Sequence, residues 1–280
     1  MVVNPAALAE KIEDLLVEKD LRGMKFAQSC LTPGYYYRAA ELINNATGTV
    51  LIGTGFPVLN TFETDGPVGA IVLYNALIQI GLKPVLVCGD PLYSALHNDY
   101  DCLRLNIAEH HNAEAFAKRT LSEIQPSLLI SIERPGLTQD GTYRNMFGDD
   151  ISDRCARFDD FLNLATCPTI GIGDGGNEIG MGNISQHLSS HNIMASQTCC
   201  DELLIADVSN WAAYGILALL GMLRNEDLLD SVNPLAILQY LSDKGCIDGV
   251  TKKNTLTEDS LSYTEGVNLI DKIRTLCGFK

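Results

Sequence analysis

Thr169-Ile170-Gly171-Ile172-Gly173-Asp174-Gly175-Gly176-Asn177-Glu178-Ile179-Gly180-Met181-Gly182-Asn183 governs how the rest of the chain is read. Its first five residues make the short apolar run expected of a strand buried on both faces. From Gly171 onward it carries six glycines in thirteen residues. That density would damage an element that only had to pack, because each glycine costs about 0.5–1 kcal/mol in a helix interior. It makes sense if the backbone itself approaches a ligand; the plainer alternative is an Asp-capped, glycine-rich turn. A buried strand running into a glycine-rich, acid-bearing loop is the arrangement of an open α/β sheet, whose ligands bind at the carboxyl ends of the strands.

Working outward, similar apolar or β-branched runs recur at 49–53, 84–88, 103–107, 127–132 and 203–206. Between them lie stretches with helical spacing: 69–80, with Ala70, Leu73, Leu77 and Ile80 on one face, and 108–124, with Ala113, Phe116, Ala117, Leu121 and Ile124. Strand and helix in repetition predict an α/β fold of three layers, a mostly parallel sheet covered by helices on both faces. Residues 1–46 and 209–280 carry helical patterns, broken at 230–234, and are expected to be helical flanks. No Ser/Gly/Pro-rich linker, repeat or charge block divides the chain, so residues 1–280 are expected to be a single domain. Its core motifs fall at about 36–222 and a C-terminal helical extension covers 223–280.

Composition narrows the function classes. The chain has 280 residues, 46% hydrophobic and 20% charged, enough to bury a sizeable core without staples. Its 20 Lys+Arg against 35 Asp+Glu give a net charge of −15, the wrong sign for phosphate neutralisation on nucleic acid or for adsorption to an anionic membrane. Cations are the natural guests of an acidic cleft. The nine cysteines are odd in number and scattered, unlike a disulfide framework. They read as small buried hydrophobes, with the vicinal Cys199-Cys200 no zinc or redox motif. Residues 1–20 form an acidic amphipathic pattern with no targeting signal, and the longest apolar run, 211–222, is too short to span a bilayer. A reduced, cytoplasmic setting is expected. That run, with the lone Trp211, either covers the core, the commoner role, or forms a contact in a homo-oligomer.

The loops after the strands hold the chemistry. Gly53-Thr54-Gly55-Phe56-Pro57 is followed by Glu63-Thr64-Asp65-Gly66-Pro67-Val68-Gly69, which opens a helix. Gly55 and Gly66 allow close approach to an anion and the helix start supplies N–H groups; alternatively Asp65 is a simple N-cap and Pro67 an N1 residue. The pattern is neither a dinucleotide fingerprint nor a P-loop. The run 127–132 ends in Glu133-Arg134-Pro135-Gly136, followed by Gln139-Asp140-Gly141-Thr142-Tyr143-Arg144-Asn145-Met146. Glu133 and Arg134 are either site residues, since buried charge must be paired, coordinated or neutralised, or a surface pair; Asp150 and Ser152 suit a cap. Asp174, Asn177 and Glu178 place hard oxygen donors three and four residues apart, on one side of a helical turn, as a Mg²⁺, Mn²⁺ or Ca²⁺ site requires. Glu133 is the fourth candidate ligand. His97, His110, His111, His187 and His191 show no metal spacing and read as surface or packing residues.

Taken together, Gly53–Pro57 with Glu63–Pro67, Glu133–Gly136 with Asp140-Gly141 and Asn145-Met146, Gly171 to Gly182, and Val208-Ser209-Asn210-Trp211 resemble the D-glutamate cyclase family: the C-terminal domain of the mitochondrial enzymes and their stand-alone prokaryotic relatives. The resemblance implies a carbon–oxygen lyase that converts D-glutamate to 5-oxo-D-proline and water. The family's long members carry a further N-terminal, hydro-lyase-like domain that this chain is expected to lack. Cyclisation needs a neutral amine and an activated γ-carboxylate. A divalent ion on Asp174, Glu178 and Glu133 or Asp65 would polarise the carboxylate, and Asp140 would take the ammonium proton. Arg134, Arg144 or the helix start at Gly66 would hold the α-carboxylate, beside Gly55 and Asn145. The expected catalytic set is thus Glu133, Asp140 and Asp174, and the partner a small anionic metabolite. Two other readings stay open: a metal-dependent phosphoester hydrolase, and a non-catalytic protein that binds metal or metabolite.

Overall fold

The computed structural model describes residues 5–188 and 195–280; His191 and the first four residues of the expected N-terminal helix lie outside the described residues. Three helices come first, α1 (Pro5–Leu16), α2 (Met24–Ser29) and α3 (Tyr35–Asn45). Next come β1 (Thr49–Thr54), a small antiparallel pair, β2 (Pro57–Val58) and β3 (Thr61–Phe62), then α4 (Pro67–Gln79), β4 (Lys83–Gly89), α5 (Leu92–Leu96) and β5 (Cys102–Leu105). The chain continues through α6 (Ala113–Ile124), β6 (Leu128–Ile132), α7 (Asp159–Asn163), β7 (Thr169–Gly173), α8 (Ser185–Leu188) and β8 (Glu202–Ile205). It ends with α9 (Ser209–Arg224), α10 (Pro234–Asp243), a hairpin of β9 (Thr257–Glu258) and β10 (Leu261–Ser262), and α11 (Tyr263–Cys277).

Six of these strands form one sheet in the order β5-β4-β1-β6-β7-β8, every neighbouring pair parallel. Counted within the sheet, this is the doubly wound order 3-2-1-4-5-6. The order reverses between β1 and β6, so the carboxyl ends of those two strands flank the crevice where such folds bind ligands. Side chains alternate across the sheet with period two. Val50, Ile52, Leu128, Ile130 and Ile132 meet the layer that contains α1, α3, α4 and α9, while Leu51, Val87 and Leu129 meet Ala117 of α6 and Phe158 and Phe161 beside and within α7. The three-layer α/β architecture read from the sequence is the one observed.

Three details differ from expectation. The third apolar run, placed at 103–107, pairs only over Cys102–Leu105; Asn106 then accepts a hydrogen bond from the Ala108 N–H (3.1 Å) and starts a 3₁₀ turn. The C-terminal flank is not purely helical, since β9 and β10 form a hairpin. And α9 is no flank: 13 of its 16 residues are buried, as befits a helix apolar on all sides. It packs on α3, α4 and α11, and Trp211 is 2% exposed, so this run serves the core. Among the described residues no helix is long and apolar enough to cross a membrane.

Candidate functional site

The switch point is built by two helices that cap each other. The Asp65 carboxylate, just before α4, accepts the N–H groups of Ser209 (2.9 Å) and Asn210 (2.8 Å) at the start of α9. The Asn210 side-chain oxygen, Oδ1, accepts those of Gly66 (2.8 Å) and Gly69 (2.7 Å) at the start of α4. Each helix thus satisfies orphan donors of the other, which fixes both N-termini at one point. Asp65 is a cap, but chiefly of the helix more than 140 residues away, and the N–H groups expected to bind an anion at Gly66 are already taken.

The acidic loops fit together just as closely. Glu133, directly after β6, has φ of 42°, a left-handed conformation that costs a non-glycine residue about 1–3 kcal/mol and that clusters at functional sites. It is held by its N–H on the Ile172 carbonyl (3.1 Å) and by the Ser209 hydroxyl, which donates to its carboxylate (2.6 Å). Gly66 has φ of 89°, and a Cβ there would stand 2.7 Å from the Glu133 Cβ; only glycine lets the two loops meet. The loop after β6 also pairs with the loop after β7: the Gly136 N–H donates to the Asn177 carbonyl and the Ile179 N–H to the Arg134 carbonyl, each at 2.9 Å. Glu178 folds back onto the N–H groups of Gly175 (2.8 Å) and Gly176 (2.7 Å).

Two groups of carboxylates result, Asp65, Asp174 and Asp259, and Glu133, Asp174 and Glu178. Within each group, one oxygen per residue lies within 4.8 Å of the others. All five are buried, as is nearby Glu63. Arg22 is the guanidinium in contact, hydrogen-bonded to both Asp174 and Asp259. Burial works against its charge, but Asp174, Asp259 and Glu133 outweigh it and raise its pKa. Arg22 alone cannot balance six carboxylates, and the imbalance shows in the titration of five of them. Burial, then the Asp259 charge, pushes Asp65 up to about 7. Burial with neighbouring acids likewise raises Glu63, Glu133 and Asp174 well above the carboxylate range, and burial raises Glu178. Asp174 also has a buried carboxylate oxygen, Oδ2, with no hydrogen-bond donor. Such an oxygen calls for a proton or a cation, and an all-oxygen, multiply charged donor set is the kind a hard divalent ion takes. The residues present therefore fit Mg²⁺, Mn²⁺ or Ca²⁺.

Not every expected residue joins this cluster. Glu133, Asp174, Glu178 and Asp65 do. Asn177 lines the same cavity, yet it sits in a loop rather than on a helical turn, and its side-chain amide donates to the Arg144 carbonyl (2.8 Å). Arg134 is a buried strut, donating to the carbonyls of Thr54 (2.8 Å) and Ala156 and lying over the Phe158 ring; no substrate contact is needed to explain it. Asp140 is half-exposed, and hydrogen bonds from Thr138, Thr142 and Arg144 hold it far below the usual carboxylate range, the opposite of what a base needs. Arg144 is its ion-pair partner (3.0 Å). Asn145 lines the cavity but braces its own loop, accepting the N–H groups of Phe147 and Asp149, each at 2.9 Å. Gly55 packs against Leu92, outside the cavity. The glycines from 171 to 182 mostly serve backbone packing: Gly171 lies against Gly180, and a Cβ on Gly182 would meet the Gln197 carbonyl at 2.5 Å.

Three contributors escaped the sequence. Arg22 follows α1, whose end is tied to the sheet because Asp207 accepts the N–H groups of Lys19 (2.7 Å) and Leu21 (3.2 Å). Asp259 sits at the tip of the β9–β10 hairpin, where it and Ser260 have φ of 49° and 70°, the geometry of a two-residue I′ turn. Its Asp-Ser pair between Thr257-Glu258 and Leu261-Ser262 was the one local signal available. Glu63 stood in a quoted motif without a role. Behind the cluster, buried Glu258 accepts from the Asn210 side chain (2.8 Å), and burial raises it to about 8. A cavity of about 330 Å³ opens onto the acids. Glu63, Glu133, Glu178 and Asp259 line it, with Leu59, Met146, Phe147 and Val250 toward solvent and Arg154 and Lys252 at its mouth.

A doubly wound α/β sheet with a small-molecule-sized acidic cavity at its switch point defines the class. The family described as D-glutamate cyclase-like, C-terminal matches residues 12–274, and the chain belongs to it. The match takes in Arg22 and Asp259, beyond the 36–222 that the motifs suggest. Human mitochondrial D-glutamate cyclase is 32% identical over 212 residues, which cover 66% of this chain and 34% of that protein; the chain thus matches about a third of that relative's length. Among solved structures, an exopolyphosphatase-related protein from Bacteroides fragilis matches with a TM-score of 0.42 and 8% identity, over 87% of this chain and 60% of that one. At that score it bears on neither fold nor function.

Proposed function

We propose that the chain is a D-glutamate cyclase-like lyase that forms 5-oxo-D-proline and water in the acidic cavity, with a divalent metal ion. The observation that carries the reading is the group of six buried carboxylates around one guanidinium, with Asp174 Oδ2 left without a donor, in a member of this family. Asp65, Asp174 and Asp259, or Glu133, Asp174 and Glu178, would hold the ion. Bound there, it supplies Lewis-acid polarisation to a carboxylate, a poor electrophile. The remaining work belongs to the chain. In the reaction the ammonium nitrogen loses two protons, the C–N bond forms at the γ-carbon and one C–O bond breaks, and both protons leave on the departing oxygen as water. A carboxyl group with a raised pKa is the kind that takes a proton from nitrogen and returns it to oxygen. Glu63 and Glu133 line the cavity and are so raised, so the proton role passes to them from Asp140. The nine free thiols support a reducing compartment, consistent with a cytoplasmic setting.

Purified protein is incubated with D-glutamate, L-glutamate and a generic phosphoester, with and without EDTA and added Mg²⁺, Mn²⁺ or Ca²⁺. A D-selective, EDTA-sensitive loss of primary amine with 5-oxoproline as product is expected. Phosphate release instead, or no turnover with any ion, removes the cyclase reading.

A further inference from the structure

Resting on the cyclase reading, we infer that Lys252 is the specificity-determining anchor for the substrate's α-carboxylate, which makes this a site for amino-dicarboxylic acids rather than for amino acids in general. Glu63, Glu133, Glu178 and Asp259 line the cavity together, Asp149 lines it beside Met146 and Phe147, and Arg22 is committed to Asp174 and Asp259. The other cations lining it are Arg154 and Lys252. Arg154 is engaged, with its guanidinium on the Leu59 carbonyl (3.0 Å) and near Asp153 (3.8 Å). Lys252 makes no ion pair among the described residues; its ammonium rests on the Gly249 carbonyl. Its charge is felt by Glu63, but a lysine that closes no ion pair, at the mouth of an acidic cavity in a chain of −15 charge, is placed to meet an incoming anion.

The turn that carries it is built rather than loose. Buried Asp248 accepts the N–H groups of Val250 (3.0 Å), Thr251 (2.6 Å) and Ser260 (2.7 Å) and the Thr257 hydroxyl (2.6 Å). The Lys252 N–H returns to the Asp248 carbonyl (2.9 Å) and Lys252 takes φ of 57°. The turn is clasped to the segment that follows β3 and bears Glu63 and Asp65, since the Ile247 N–H donates to the Phe62 carbonyl (3.1 Å) and the Thr64 N–H to the Ile247 carbonyl (2.9 Å). Lys252 is therefore held in fixed relation to the acids. An α,ω-dicarboxylate spanning the cavity presents one carboxylate to the acidic end with its cation and the other to Lys252, which sets the amine between them.

The test compares the metal-loaded wild type with Lys252→Met and Lys252→Arg. Calorimetric binding of D-glutamate, glutarate and 4-aminobutyrate, which lacks the α-carboxylate, is read beside the KM and kcat for D-glutamate. Lys252→Met is expected to weaken D-glutamate and glutarate by about ten- to a hundredfold, the worth of one hydrogen bond to a charged group, while 4-aminobutyrate binding stays unchanged. Its KM rises more than its kcat falls, Lys252→Arg restores most of the loss, and metal affinity is unaltered. If Lys252→Met binds D-glutamate as tightly as wild type, or weakens 4-aminobutyrate equally, the anchor is refuted. If wild type binds the dicarboxylates through Lys252 without turnover, the cyclase reading fails and the anchor stands. If wild type binds none of the three, the anchor is refuted.

Discussion

Replacing Arg22 with Met removes the guanidinium that contacts Asp174 and Asp259 and keeps most of the side-chain volume. At contact distance and an effective dielectric near 20, each pairing is worth about 4 kcal/mol. Burying the guanidinium costs several kcal/mol in return, so losing one partner of such a buried network is expected to destabilise by about 3–5 kcal/mol. The cost must depend on pH. Without Arg22 the acids hold their protons more tightly, and protonation substitutes for the missing cation; one additional bound proton is worth about 1.4 kcal/mol per pH unit. Denaturant unfolding of wild type and variant in EDTA at about pH 8 and pH 5 measures this. The expected result is the full loss at pH 8 and a difference of about 1 kcal/mol or less at pH 5, with Mg²⁺ or Mn²⁺ rescuing the variant more than wild type. Equal losses at both pH values would refute the idea that Arg22 acts by balancing the carboxylates.

The metal-free wild type is expected to lose stability from about pH 5 to pH 8. Asp65 and Glu258, raised to about 7 and about 8, keep protons in the folded chain that the unfolded chain has released, so unfolding releases protons and the slope is negative. Their contribution is complete below the ordinary 3.8 and 4.5 and gone above the folded values. Because cations compete with those protons, the rise in Tm on adding Mg²⁺ or Mn²⁺ should grow from pH 6 to pH 8; a shift larger at pH 6 contradicts the assignment. Asn210→Ala leaves the buried N–H groups of Gly66 and Gly69 without their acceptor and should cost about 2–5 kcal/mol in unfolding free energy, whereas a loss under 1 kcal/mol would show the mutual capping to be incidental.

What the sequence revealed of the site is what lies close along the chain. Asp174 and Glu178 were legible because four residues and a glycine-rich turn bring them together, and Glu133 because it ends a core strand. The partners of Asp65 and Arg134 lie outside the segments that carry them. Local rules assign a side chain to its own neighbourhood, a cap to the helix it precedes and a loop guanidinium to the ligand. In the fold, Asp65 caps α9 across the switch point and Arg134 turns inward onto the Thr54 and Ala156 carbonyls and the Phe158 ring. Arg22 and Asp259 were invisible because tertiary closure alone delivers them, one through the Asp207 tie at the end of α1 and the other through a hairpin tip. The sheet was legible throughout, since period-two burial is written residue by residue, whereas strand ends such as Leu105 depend on a single cap at Asn106.

Asp65 joins the site to the core. Its carboxylate holds the first N–H groups of α9, and the positive end of that helix dipole favours its ionised form. Even so, burial and Asp259 leave it near neutrality at about 7. A helix N-terminus and one nearby arginine are thus not enough to hold this carboxylate in its usual range. The group that caps the central helix is also a candidate metal ligand, so a cation held there would link occupancy of the site to the seating of α9. A cation that drew Asp65 into its ionised form would strengthen the bonds to Ser209 and Asn210, and through Asn210 it would steady the start of α4.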